Sequence, residues 1–369
     1  MMPLRRVSIV VISLSPELGG GYTGIINLAK CLANRGTTDV TILTIDKVER
    51  NYSIGSIKVV SISSFIHKRI PSLSILGQLP YLFRSDLIYL HSFNSPISLL
   101  VYIFSFWTNI PILFRPHGSL MDTYTSRFSL THHLFVRLQA LIYSLRSTFI
   151  FSSELESRQS LAYLSSFRAS ISSVIIPEPF PSASKDPYSD KDRPIRFLYV
   201  GRIVPAKGIV DYLYSLLDYF DSHPHTLAQT TVITLAGSSS PSVDQQLVDL
   251  SSSLSRHSIK LENLGFVTSA KRDSLLRSSH YFLHPTTGDC FGISVLEAVF
   301  SGCHVLSSSQ LGICKELLYS RAMTTLSGPV TVADIITNQV NPPPADLEYL
   351  SAAFSPHRVC DLYTTHFSK

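Results

Sequence analysis

The sequence predicts an α/β protein built from two doubly wound parallel sheets. Apolar, β-rich runs alternate with helix-length segments along the whole chain, the pattern of parallel strands covered by crossover helices. The 369 residues exceed one ordinary domain and suffice for two. Near the middle, residues 177–194 (PEPFPSASKDPYSDKDRP) hold five prolines and almost no apolar pattern, and then the alternation starts again.

In chain order, the apolar runs predict strands over 6–13, 39–45, 57–62, 86–91, 110–115, 147–151 and 173–176. Helices are expected between most of them, including 24–35, 96–107 and 128–145. The stretch 97–114 is apolar enough to resemble a membrane span, but Asn109 and Pro111 interrupt it. It reads as a buried helix followed by a strand. Past the proline-rich stretch, strands are expected over 195–200, 230–236, 259–266, 280–284 and 303–307, with a helix over about 209–221. The organisation expected is a first domain over 1–178, a linker over 179–194, a second domain over 195–350 and a last segment over 351–369. Open parallel sheets bind ligands outside the carboxyl ends of their strands.

Composition narrows the function. Hydrophobic residues make up 45% and charged residues 15%, with a net charge of +5. That mild excess suits anionic substrates or an anionic membrane surface, and is too small and too dispersed for nucleic acid. The cysteines Cys31, Cys290, Cys303, Cys314 and Cys360 are scattered and form no CxxC pair. They fit a reducing, cytoplasmic compartment without disulfide framework or zinc site. No secretory signal is read in the basic-apolar start of the chain.

Three segments carry chemistry. Gly19-Gly20-Gly21 follows the first strand, where backbone N–H groups and a helix N-terminus can approach a phosphate; a purely steric glycine turn is the alternative. Arg202 and Lys207 lie in the strand-to-helix loop Gly201–Gly208 (GRIVPAKG). Cations there oppose the helix dipole unless an anion lies between them, and a diphosphate would suit both, with Arg as fork and Lys as point charge; two solvated loop cations are the alternative. The third segment is GDCFGISVLEA, from Gly288 to Ala298. Asp289 belongs to its loop, with Phe291 and Gly292 at the helix start. Glu297 sits in an apolar helix with no cation three or four residues away. Its carboxylate either faces solvent or accepts sugar hydroxyls. The helix over 128–145 and its flanks add Arg127, His132, His133, Arg137 and Arg146 beside Leu134, Phe135, Leu138, Leu141 and Ile142. That reads as a basic amphipathic surface for a membrane or acceptor, or as an ordinary solvated face.

The segments VGRIVPAKG and HPTTGDCFGISVLEAVFSG resemble the donor-site motifs of glycosyltransferase family 4, the retaining GT-B enzymes of the group 1 type. The resemblance implies the GT-B fold, two Rossmann-like domains facing a cleft, with Arg202 and Lys207 at the donor diphosphate. It places Asp289 and Glu297 at the spacing of the E-x7-E motif, with Asp standing for the usual Glu. Arg115-Pro116-His117-Gly118 is similar to the family's His-Gly loop, which implies that His117 contacts the donor sugar; His91 is read as structural. Ile176-Pro177-Glu178-Pro179 departs from the family's Asn-Gly after Ile-Pro. The match covers most of the chain, with its specific motifs in 195–316.

The implied activity is transfer of a sugar, with retention, from a nucleotide diphosphate sugar to the hydroxyl of a glycan or lipid-linked acceptor, as in polysaccharide biosynthesis. His117, Asp289 and Glu297 are the catalytic candidates. Gly20, Gly21, Arg202, Lys207, Phe291 and Gly292 are the donor-binding ones. No convincing Asp-x-Asp stands near a strand end, so metal-independent transfer with no cofactor beyond the nucleotide sugar is expected. The protein is expected in the cytoplasm or peripherally at the inner membrane surface. A sugar-nucleotide epimerase of the same fold and a non-catalytic sugar-nucleotide or membrane-binding module are the alternatives.

Overall fold

A computed structural model describes residues 6–14, 20–34, 36, 38–45, 52–62, 77, 79–91, 93, 95–167, 171–181, 194–223 and 230–367. The chain divides into two compact units, Met1–Pro181 with Phe354–Lys369, and Ser182–Ala353. Residues 182–193 of the expected linker lie outside the described residues.

The first unit is an eight-stranded sheet. Its strands are β1 (Arg6–Val10), β2 (Asp39–Thr44), β3 (Tyr52–Ile54), β4 (Ile57–Ser61), β5 (Leu87–His91), β6 (Ile112–Arg115), β7 (Ser147–Phe151) and β8 (Ser172–Ile175). Their order is β3-β4-β2-β1-β5-β6-β7-β8, parallel apart from β3. Val7 lies opposite Val40 on one side and Leu87 on the other. Such continuous apolar strands are buried on both faces, which is why they read as runs and not as alternations. β3 has no counterpart in the sequence reading. It is the short arm of a hairpin closed at Gly55, whose φ of 61° suits a residue without a side chain.

The helices of this unit are α1 (Gly20–Ala33), α2 (Leu79–Phe83), α3 (Pro96–Ser105), α4 (Asp122–Thr125), α5 (Leu130–Ser144) and α6 (Glu154–Ser165). Serines cap three of them: Ser95, Ser129 and Ser153 accept from the amides of Ser98, His132 and Glu156. The helix expected over 24–35 starts earlier, so Gly20 and Gly21 form the first turn of α1 and not a loop before it; Gly19 lies outside the described residues.

The second unit is a six-stranded sheet in the order β11-β10-β9-β12-β13-β14. Its parallel strands are β9 (Arg196–Val200), β10 (Thr231–Ala236), β11 (Ile259–Asn263), β12 (Tyr281–His284), β13 (His304–Ser307) and β14 (Met323–Thr325). The intervening helices are α7 (Ile209–Ser222), α8 (Pro241–Ser255), α9 (Ser269–Ser278), α10 (Ile293–Phe300), α11 (Cys314–Tyr319) and α12 (Val330–Asn338). α13 (Leu347–Phe354) ends this unit, and α14 (Pro356–Phe367) packs on α1 in the first. No described helix is long and apolar enough to cross a membrane.

The packing of α14 corrects the cysteine reading. Cys31 on α1 and Cys360 on α14, 329 residues apart, form a disulfide. No spacing in the sequence signals it, because only the return of the last helix brings the two thiols together. Cys290, Cys303 and Cys314 are free.

Candidate functional site

In a doubly wound sheet the strand order reverses at one point, and loops leaving the strands there splay apart to leave a crevice. In the second unit that point lies between β9 and β12. The loop after β9 carries Arg202 and Lys207, and the loop after β12 carries Asp289. Glycine is required where these loops are tightest. Gly208 has a φ of 66°, and a Cβ there would stand 2.2 Å from the Pro285 carbonyl. Gly237 lies so close to the Gly201 carbonyl that a Cβ would stand 1.8 Å from it. Backbone contact without side chains therefore holds the first loop against its neighbours.

Pro205–Lys207 forms one turn of 3-10 helix, whose Ala206 carbonyl accepts from Thr287. This contact ties the two loops and sets Lys207 against Asp289, with Nζ 2.5 Å from Oδ2. The same carboxylate oxygen lies 3.1 Å from Nε2 of buried His284. Burial alone would raise the Asp289 carboxyl. The Lys207 ammonium and the His284 hydrogen bond override it and hold the group well below the usual carboxylate range. Burial also lowers His284, against the pull of Asp289.

Asp289 thus supplies Lys207 with an anion from within the protein. Asp289 compensates Lys207 directly, whereas Arg202 is exposed. Lys207 and Asp289 are thus paired with each other across the two loops.

Phe291 is buried, and Gly292 starts α10 with a φ of 98°. Backbone amides hold the loop: Asp289 N–H donates to the Gln310 carbonyl, and Gly312 N–H donates to that of Asp289. Glu297, on α10, is not left to solvent. Arg272 of α9 brings Nη1 to 3.2 Å from its Oε1. The absence of a cation at helical spacing holds, but a neighbouring helix supplies one.

In the first unit the strand order reverses between β1 and β5. Gly20 and Gly21 follow β1, and a Cβ on Gly21 would meet nothing within 4 Å. His117 follows β6 in a left-handed conformation, φ 50°, continued by Gly118 at 75°. This turn is anchored from beneath: Gly118 N–H donates to Oε1 of Glu156 at 2.5 Å, while Ser152 N–H and Oγ donate to Oε2 at 2.7 and 2.6 Å. Glu156 is fully buried, and burial raises its carboxyl against those hydrogen bonds.

Beside it lies Arg115, also fully buried, with Nη1 2.5 Å from Oε1 of Glu178 and Nη2 donating to the Ile176 carbonyl. The same Glu178 oxygen stands 3.6 Å from Nδ1 of His117, while His117 Nε2 bonds Nδ1 of His91. Of this cluster the His117 ring alone keeps appreciable surface, 20%. Burial pushes the His117 imidazole down to about 4, with Arg115 acting the same way and Glu178 opposing. The ring is neutral at neutral pH.

The sequence reading took His91 as structural; it is buried directly against His117. Arg115 and Glu178 stood in the motifs quoted, and Ser153-x-x-Glu156 is a helix-start signature. None of these identified a shared cluster. The described surface also holds a concavity of about 550 Å³ lined by Arg6, Lys58, Tyr81 and Arg84 among others. It lies at the amino ends of β1 and β4, away from the carboxyl ends of β5 and β6 that carry His91 and His117.

The family model for glycosyl transferases group 1 matches residues 139–326, half of the chain. The chain belongs to the group 1 glycosyl transferases. No curated protein sequence matches it significantly. Among solved structures, sucrose-phosphate synthase from Thermosynechococcus elongatus superposes with a TM-score of 0.73 over 99% of each chain, at 16% identity. HepE from Anabaena, solved with UDP and glucose, gives 0.68 over 99% of each chain at 17% identity. A glycosyltransferase from Rickettsia africae gives 0.69 at 12% identity, over 99% of this chain and 98% of its own. The fold of this group 1 glycosyltransferase is GT-B, as the resemblance implied.

Proposed function

We propose that the protein transfers a sugar, with retention, from a nucleotide diphosphate sugar to the hydroxyl of a glycan or lipid-linked acceptor. The observation that carries this is the ion pair of Lys207 and Asp289 at the switch point of the second sheet, with Arg202 exposed on the same loop. A departing diphosphate needs positive charge. Lys207 and Arg202 supply it without a metal, and Asp289 holds Lys207 in place until a phosphate competes for it. Freed from that pair, Asp289 can accept from sugar hydroxyls, as Glu297 can beside Arg272. In the first unit, the first-turn amides of Gly20 and Gly21 suit a phosphate, and the neutral His117 ring suits a sugar hydroxyl. UDP and glucose bound to HepE support a nucleotide-sugar donor.

Among the described residues we read no side chain as a convincing nucleophile, and we propose that a phosphate oxygen of the donor takes the acceptor hydroxyl proton in a front-face reaction. Trapping of a covalent glycosyl-enzyme would overturn that step. The donor is found by a binding screen of nucleotide sugars. Transfer should then survive a chelator and fall steeply in Arg202→Ala and Lys207→Ala, both of which bind the free nucleoside diphosphate more weakly. Asp289→Glu should keep activity, whereas Asp289→Ala nearly abolishes it. Activity lost to chelator and restored by magnesium or manganese rejects the metal-free account. Release of an isomerised sugar nucleotide without acceptor favours an epimerase, and binding without turnover across acceptors favours a non-catalytic module.

A further inference from the structure

α5 buries an unusual face. Val136, Gln139, Ala140 and Tyr143 point inward, and Gln139 finds no hydrogen-bond partner for either side-chain polar atom among the described residues. Its leucines point outward. Leu130, Leu134, Leu138 and Leu145 are 56–77% exposed, and Phe135 stands beside them. The positions recur at i, i+4, i+8 and i+15, one stripe along a helix of roughly 22 Å. Arg146 extends the stripe. Its guanidinium donates to the carbonyls of Ser105, Phe106 and Thr108, which brings the segment after α3 to the carboxyl end of α5. That segment carries Trp107, 78% exposed.

Such a stripe must be covered by something, because soluble monomers rarely expose contiguous apolar surface of this kind. Charge decides what covers it. Between Asp122 and Glu154 the chain has no acidic residue, and it carries Arg127, Arg137 and Arg146. Arg127 and Arg137 are exposed and form no ion pair among the described residues. In an isologous dimer this surface would meet its own copy and set like charges together. Leucines, an aromatic at the rim and unpaired arginines suit a surface that is apolar inside and anionic outside.

We propose that the exposed face of α5, with Trp107, docks the protein peripherally on an anionic lipid bilayer, leucines entering the interface and arginines meeting the headgroups. The helix lies in the interface and does not span it. Vesicle binding requires neither donor nor acceptor, so it succeeds or fails separately from sugar transfer.

The test is co-sedimentation of the full chain with phosphatidylglycerol–phosphatidylcholine vesicles and with pure phosphatidylcholine vesicles. The protein should sediment with the mixed vesicles, and much less with the neutral ones or at high salt. Leu134→Ser with Leu138→Ser should lower partitioning roughly tenfold or more on the mixed vesicles. Arg127→Glu with Arg137→Glu should remove the preference for anionic lipid. All four positions are exposed, so unchanged thermal midpoints should accompany both effects. Protein left in the supernatant with anionic vesicles overturns the proposal, as does equal binding of the leucine variant. Self-association abolished by the leucine changes, without vesicle binding, assigns the face to a second copy and overturns it too.

Discussion

The two clusters at the switch points solve opposite problems with similar residues. In the second unit, Lys207 and Asp289 pair at the edge of solvent, with side chains 17% and 14% exposed. In the first, Arg115 and Glu178 pair in the interior, at 0% and 4%. An ion pair that reaches solvent can be divided by an incoming phosphate at modest cost. A buried one cannot, because either partner alone would be an uncompensated charge in low dielectric. The first pair lies where an incoming anion could reach it, whereas the second is enclosed beside the left-handed turn of His117.

Breaking the interior pair should therefore have the largest effect. Glu178→Leu is expected to cost about 3–5 kcal/mol of stability by leaving Arg115 unpaired. Urea unfolding measures it, and Glu178→Leu combined with Arg115→Met should recover much of the loss. A single-variant cost below about 1 kcal/mol would mean that the pair is already solvated.

Glycine sharpens the contrast between the turn at Gly208 and the first turn of α1. Gly208→Ala should destabilise by about 2–4 kcal/mol, through positive φ and contact with the Pro285 carbonyl. Gly21→Ala lies in open space on a helix and should be neutral to stabilising by up to about 1 kcal/mol. Thermal melts of the two variants compare them directly. Similar losses in both would remove the distinction between a loop that glycine must close and a turn that it leaves open.

Glu297→Gln tests the surface-reaching side of the comparison. Loss of a charge-assisted hydrogen bond is expected to weaken donor use by about 1.5–3 kcal/mol while folding changes less. Unchanged donor affinity and turnover in a folded Gln variant would reduce Glu297 to a partner of Arg272.

The smallest effect is in pH. Burial pushes His117 in the first unit and His304 in the second down to about 4 from 6.5. The unfolded chain then takes up protons that the folded one refuses. Stability is full above pH 6.5 and is lost as the pH falls towards 4. His117→Gln and His304→Gln should each flatten that slope in thermal melts across the window. A slope that neither changes places its origin elsewhere.

The sheet strands were legible because parallel strands buried on both faces leave uninterrupted apolar runs, and the loop after β9 because only glycine permits its backbone at Gly208. Residues such as Arg202, Lys207, Asp289 and Glu297 stood out as charges in apolar or helix-starting contexts. The β3 hairpin and β14 were missed because strands of three residues make too short a pattern. The sequence by itself determined the alternation of strands and helices, the turn residues and the charged side chains of the loops after β9 and β12. Only the tertiary structure decided their partners. Asp289 turns to Lys207, Arg272 comes to Glu297 from another helix, Glu178 reaches Arg115 and His117, and Cys360 meets Cys31. Periodicity records which face of an element is buried, whereas pairing across loops and layers depends on strand order and helix packing. The outward leucines of α5 show the same limit, because their spacing announces a stripe but not the side of the helix that the core claims.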